Sequence, residues 1–409
     1  MNDPTAPSRT VPRSVPDTLP DDLPDRADVV VVGAGLMGAA TAWQLAARGV
    51  DAVVVEQDEP ASVHGSSHGS ARIVRRAYAQ DDYVALTGDA FELWSELERQ
   101  SGRALVRLTG GIDHGPARDP AGIRQALDRA GLATELLVAA AAEERWPGMR
   151  FAGPVLYQAQ AGTVDAEQAV HAYLDVARRA GVRLVTGTEV LGIDPGRADT
   201  DDTVVRTSAG DVSCRRVVVA AGAWCADLLG GAVGLPPLRV TEHRVFHFPR
   251  LDESLVWPVT IHLDDLDVYH LPGGRDGGLG DARKVAEHVG RPSDARHRDS
   301  AVDVAARERI VRYVERWLPG LVPEPFAEAT CLYTTTPSED FVVDRVGGVV
   351  VVSACSGHGA KLSPVVGRCA AELATSAAPA YPRFALAAHS ASPAATIRVG
   401  GEPQGRRTR

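Results

Sequence analysis

Apolar and polar positions divide the chain into strands and helices of an α/β protein. Val29 to Val32 are uninterrupted valines, as a strand buried on both faces requires. After three glycines a helical pattern runs to Arg48, with Gly49 placed to cap it. Ala52 to Val55 form a second buried strand that ends on Glu56. Farther on, Val170, Tyr173, Leu174 and Ala177 share one helical face, with strands to follow. Val217 to Ala220 reads as another buried strand, broken at Gly222. The β-branched content of "PPLRVTEHRVFHF" and "LDVYHLP" predicts strands. "DVAARERIVRYVERWLPGL" predicts an amphipathic helix ending before Pro319. Arg72, Arg75 and Arg76 fall at helical spacing.

The glycines between the first strand and helix are Gly33, Gly35 and Gly38, a GxGxxG. The first permits a tight turn, the second lets backbone approach a pyrophosphate, and the third lets helix pack on strand. Free N–H groups at the helix start face the phosphates. Glu56 ends the next strand, where it can accept hydrogen bonds from a ribose and repel a 2'-phosphate. FAD or NAD is therefore expected over NADP. The later segments, around Val190 and the Gly222 turn, read as returns of the chain to the same cofactor. That scattered layout favours FAD.

Charge and cysteine usage narrow the classes. A net charge of -10 with no long basic run argues against nucleic acid as a partner. Five cysteines without a CxxC indicate neither a disulfide framework nor a zinc site. His64 and His68 are four apart but have no cluster of further ligands, so no metal is expected. No apolar run reaches the roughly 18 residues of a membrane span. The proline-rich residues 1–27 lack the apolar stretch of a signal peptide and read as a disordered leader. A cytoplasmic protein is expected.

Four segments together carry a resemblance: the glycine-rich opening, "HGSSHGSARIVRRAY", "GDARKVAEH" and "CSGHGAKLSP". In this order the chain resembles monomeric sarcosine oxidase and N-methyltryptophan oxidase, of the D-amino-acid-oxidase-like flavoproteins. The resemblance implies a Rossmann-like FAD domain (28–104, 164–232, 325–384) interleaved with an antiparallel-sheet substrate domain (105–163, 233–324), and a disordered tail from 385. It implies FAD held covalently by a thioether at Cys331, in "CLYTTTPSEDF", with Gly357 and Gly359 also beside the cofactor. It assigns the substrate carboxylate to Arg75 and Lys361, activation of dioxygen to Lys284 with His288 beside it, positions at the flavin face to Arg72 and His68, and a pocket tyrosine to Tyr269. It further implies a monomer that oxidises a secondary or cyclic α-amino acid to an imine and reduces dioxygen to hydrogen peroxide. A dehydrogenase or tailoring oxidase with another electron acceptor is the alternative, and a flavin-binding subunit without catalysis a second. Ala360 stands where the relatives have phenylalanine, and Ser67, Ser70 and Ala71 where they have histidine, aspartate and threonine. These departures point away from sarcosine, towards a bulkier or cyclic amino acid.

Overall fold

The computed structural model describes residues 21–196, 202–277, 282–298, 303–376 and 381–390. Most of the expected leader and tail, 1–20 and 391–409, and part of the loop before Lys284, 278–281, lie outside the described residues.

The valine run forms the strand Arg26–Val32 at the centre of an eight-stranded sheet. Its side chains alternate between two cores. Val29 and Val31 pack under helices on one face, and Val30 and Val32 join a second apolar cluster on the other. Parallel neighbours are Ala52–Val55 and the end of Gly210–Val219. Arg183–Val185 and Val349–Ser353 extend the parallel set outward on either side. Helices Leu36–Ala46, Ala166–Arg179 and Ser363–Thr375 cover the first face. The first helix stops at Ala46, two residues short of Arg48, and Gly49 follows in the left-handed region at φ 67°.

Gly33 and Gly38 show why the turn must be glycine. Gly33 sits at φ 98°, and a Cβ on Gly38 would lie 1.8 Å from the Gly33 carbonyl oxygen. The helix can therefore rise directly off the strand.

A nine-stranded, largely antiparallel sheet forms the second layer, with Arg239–Phe248, Arg283–Glu287, Val268–Pro272 and Val259–His262 side by side. The helix Val304–Trp317 buries Ile310, Tyr313 and Val314, and is capped by the Asp303 carboxylate on the Ala306 N–H. It ends just before Pro319, as its sequence predicts.

Three boundaries differ from expectation. Residues 327–335, assigned to the FAD domain, form the strand Ala327–Thr335, paired along its length with Arg239–Phe248. Cys331 thus belongs to the second sheet, with its thiol near Ser66 and Arg72. Residues 21–27 are not a free leader: Asp21 exchanges hydrogen bonds with the Leu184 backbone, and the first strand starts at Arg26. At the other end, Leu386–Ser390 is helical and pinned by Leu386 N to Asp344 and His389 to the Phe341 carbonyl.

The arginine-rich stretch is a strand, Arg72–Arg75, in a small antiparallel sheet with Ala161–Val164 and Val106–Leu108. Ile73 and Val74 are β-branched, and the stretch is too short to nucleate a helix against that preference. Among the described residues no helix is long and apolar enough to cross a membrane, and no group of three or more His, Cys, Asp or Glu is arranged to hold a metal.

Candidate active site

Two cavities meet between the layers. The larger, about 610 Å³, opens at the ends of the parallel strands. Gly33, Gly35, Glu56, Val190 and Gly222 line its nucleotide end. His68, Arg72, Tyr269, Lys284 and Cys331 line the other, with Gly357 and Gly359. Gly38 does not reach the cavity; its part is the helix–strand contact. Glu56 accepts from the backbone N–H of Ala34 at 2.6 Å and of Asp58 at 3.0 Å, and burial pushes its pKa up.

The thiol of Cys331 is surrounded by polar groups of the 66–72 segment. It lies 3.9 Å from the Ser66 carbonyl and 4.0 Å from Arg72 Nη2. Arg72 is itself clasped by the His68 carbonyl at 2.6 Å and the Ala71 carbonyl at 2.9 Å. His68 has a buried Nε2 with no hydrogen-bond partner among the described residues. Its pKa is lowered to about 4 by burial and by the Arg72 and Lys284 charges, so it is neutral at pH 7. Lys284 is fully enclosed. Burial, then Arg72, lowers its pKa to about 8, and among the described residues it reaches the Ala71 carbonyl (3.4 Å) and Asp276 (3.9 Å). It remains a cation at neutral pH.

The smaller cavity, about 60 Å³, lies beyond Arg72, Tyr269 and Ala360, which line both spaces. Arg75, His288, His358 and Lys361 bound it. Lys361 Nζ donates to the His358 carbonyl at 2.8 Å and to Tyr78 Oη at 3.3 Å. Burial, then Arg75 and Arg118, hold its pKa well below the usual lysine range. His288 is neutral, its pKa lowered to about 3 by burial. Arg75 donates to the Ala77 carbonyl and lies 3.9 Å from Asp113.

The fold brings together residues from four distant segments around the two cavities. It adds four that sequence reasoning missed. Tyr78 and His358 lie inside quoted motifs, so their proximity to Arg75 and Lys361 was the available signal. Asp113 and Arg118 lie in none; a charged residue inside the buried strand Gly111–His114 was the one clue.

A cavity of about 610 Å³ at a GxGxxG turn, lined by an acid, a thiol and two cations, fits FAD. The orphan nitrogen of His68 and the glycine-lined wall leave polar and steric room for it. A smaller cationic space sits against the end away from the nucleotide turn. Such a fold and site define a flavin-dependent oxidoreductase. The chain belongs to the FAD dependent oxidoreductase family, whose profile it matches over residues 28–373.

It is 31% identical over 371 residues to peroxisomal sarcosine oxidase of Homo sapiens, covering 87% of this chain and 93% of that protein. It is 29% identical over 366 residues to N-methyl-L-tryptophan oxidase of Escherichia coli, covering 85% and 94%. Among solved structures, the open form of NikD, an unusual amino acid oxidase essential for nikkomycin biosynthesis, superposes with a TM-score of 0.79 at 25% identity, covering 89% of this chain and 98% of that one.

Proposed function

We propose that the protein is an FAD-dependent oxidase of a secondary (N-methyl) or cyclic α-amino acid. The observation that carries this reading is the cationic small cavity, with Arg75 and Lys361, set against the flavin cavity at Tyr269 and Arg72. A buried carboxylate needs fixed, paired cations, and these two come from segments far apart in sequence. When bound, FAD supplies a two-electron acceptor that takes a hydride equivalent from the substrate and is reoxidised by dioxygen to give hydrogen peroxide.

The chain's own residues supply the rest. Arg75 and Lys361 hold the carboxylate, so the α-carbon and its nitrogen point out of the small cavity towards the large one. Tyr269 lines the passage between them. His288 and His68, both neutral, add no positive charge to that of Arg72 and Lys284. Lys284 offers a buried cation where negative charge develops on dioxygen, a form of electrostatic preorganisation. Cys331, without a disulfide partner, would tether the cofactor by a thioether. Ala360 borders both cavities, so the space left by the absent aromatic ring widens the junction between them. A substituent on the substrate nitrogen, or a ring closed onto it, has room there. We read the enzyme as a monomer of the cytoplasm, a setting that five cysteines outside any disulfide fit.

The test is to titrate Arg75→Ala and Lys361→Ala with a small thioether acetate, following the flavin spectrum. Each charge-assisted hydrogen bond is worth roughly 1.5–3 kcal/mol. Affinity should therefore fall by about 10- to 150-fold. Wild-type affinity in both variants would refer the reaction to a simple amine. Peroxide released on turnover separates the oxidase from a dehydrogenase.

A further inference from the structure

Arg75 has a buried neighbour that competes with any substrate for its charge. Asp113 lies in the strand Gly111–His114, enclosed on all sides, with Oδ1 3.9 Å from Arg75 Nη1. The same oxygen is 2.6 Å from Nε of Arg118, in the turn that follows the strand. Gln158 reaches the other oxygen at 3.5 Å. The two guanidinium groups also share the Ala77 carbonyl, which Arg118 Nη2 meets at 3.3 Å and Arg75 Nη1 meets as well. Two like charges and one carboxylate are thus held in one enclosed volume, at the back of the small cavity.

The distances are unequal, and that inequality matters. An attraction between unit charges falls with distance, and a direct hydrogen bond adds to it at 2.6 Å. Asp113 is engaged by Arg118 and only brushed by Arg75. Were Arg118 neutral, the nearest cation left for this buried carboxylate would be Arg75, because an uncompensated buried charge is strongly disfavoured. A substrate carboxylate would then have to displace it.

We propose that Arg118 is a positioning residue for substrate binding: it holds Asp113 away from Arg75 and so leaves the Arg75 charge available to the substrate carboxylate. The inference rests on the reading of Arg75 as a carboxylate ligand. Its signature is a rescue that a merely structural role does not give. Arg118→Gln releases Asp113 onto Arg75. Arg118→Gln combined with Asp113→Asn removes both the holder and the competitor.

The experiment measures the dissociation constant of a small thioether acetate on the flavin-loaded protein, for wild type, Arg75→Ala, Arg118→Gln, Asp113→Asn and the Arg118→Gln/Asp113→Asn double variant. An uncharged heteroaromatic ligand serves as control. Arg118→Gln should weaken the carboxylate ligand roughly 10- to 150-fold, the range carried by one charge-assisted hydrogen bond. The double variant should recover most of that loss, and the uncharged ligand should bind all forms alike. Wild-type affinity in Arg118→Gln, with Arg75→Ala impaired, overturns this inference and leaves the clamp standing. An unimpaired Arg75→Ala overturns the clamp itself. A double variant as weak as Arg118→Gln overturns the inference too, because Arg118 would then act without Asp113. Should Arg118→Gln fail to fold, Asp113→Asn and the double variant decide. Both should bind the carboxylate at least as well as wild type, and weaker binding in either overturns the proposal.

Discussion

Tyr78 Oη lies 2.9 Å from Nδ1 of His358, and this contact sets the direction of the Tyr78 hydroxyl beneath the small cavity. His358 Nε2 is 3.1 Å from the Glu339 carbonyl, so that nitrogen carries the hydrogen. Nδ1 of the neutral ring must then accept, and the Tyr78 hydroxyl must donate. The phenol's remaining lone pairs face Lys361, which donates to them at 3.3 Å. His358 stays neutral because burial, then Lys361, holds its pKa well below the usual histidine range.

Tyr78→Phe removes an acceptor from the charged form of Lys361. Lys361 is cationic below its pKa, so carboxylate affinity is present at lower pH and lost as pH rises through that value. Removing a hydrogen bond to the charged form lowers the pKa further. Carboxylate binding in Tyr78→Phe should therefore decline at lower pH than in wild type. Superimposable pH profiles would show that Tyr78 does not support the Lys361 charge.

A covalent tether at Cys331 predicts that acid-precipitated protein stays yellow, and that Cys331→Ser releases its flavin on the same treatment. The thiol lines the large cavity between the Ser66 carbonyl and Arg72. Flavin that leaves freely from denatured wild type would rule the thioether out and leave Cys331 as a packing residue.

For Lys284 the expectation concerns one half of the turnover. Its pKa of about 8 makes it a cation at neutral pH and a neutral amine above. Reoxidation of the reduced protein by dioxygen should be level below that value and fall as pH rises through it. Lys284→Met should slow reoxidation by on the order of 10²–10³, the typical cost of one preorganised charge, while reduction by substrate changes little. Stopped-flow traces of the two half-reactions check this. Equal slowing of both would move the dioxygen site elsewhere.

The parts of this molecule that were legible in the sequence are those where one local rule decides. Val29 to Val32 could be read because a strand buried on both faces tolerates nothing but apolar residues, and Gly38 because no side chain fits over the Gly33 carbonyl. The amphipathic helix Val304–Trp317 was read from its period. Arg72 to Arg75 was misread as helical, because Arg72, Arg75 and Arg76 at that spacing share one helix face. As a strand it places Arg72 beside Cys331 and sends Ile73 and Arg75 to the small cavity. The pairing of Cys331 with the second sheet came from a contact between distant strands, His243 opposite Cys331, which no local pattern encodes. The role of Asp113 and Arg118 was hidden for the same reason: their partner Arg75 is far away in the chain.

The second sheet also stores a pH dependence. His243, His247 and His262 are buried, and burial is the first cause lowering each pKa from 6.5 to about 4. His114 stacks on His262 with ring centroids 3.9 Å apart, and His270 lies against Arg283; both are lowered well below the usual range. Other groups temper this without reversing it. Asp264 raises His262 while Arg316 lowers it, and Asp276 raises His247 while Lys284 lowers it. In the unfolded chain these rings bind protons near pH 6.5, whereas in the folded protein they do not until about pH 4 or below. Their contribution to stability is therefore complete above 6.5 and is lost progressively as pH falls towards 4. Each proton taken up only by the unfolded state costs about 1.4 kcal/mol per pH unit. Five such rings should make the urea midpoint fall steeply across this window, before most surface carboxylates titrate. His247→Phe should reduce the slope, since neither ring nitrogen of His247 has a hydrogen-bond partner to lose among the described residues. A urea midpoint that stays level between neutral pH and the middle of the window would mean the rings gain protons without unfolding, and the burial argument would be wrong.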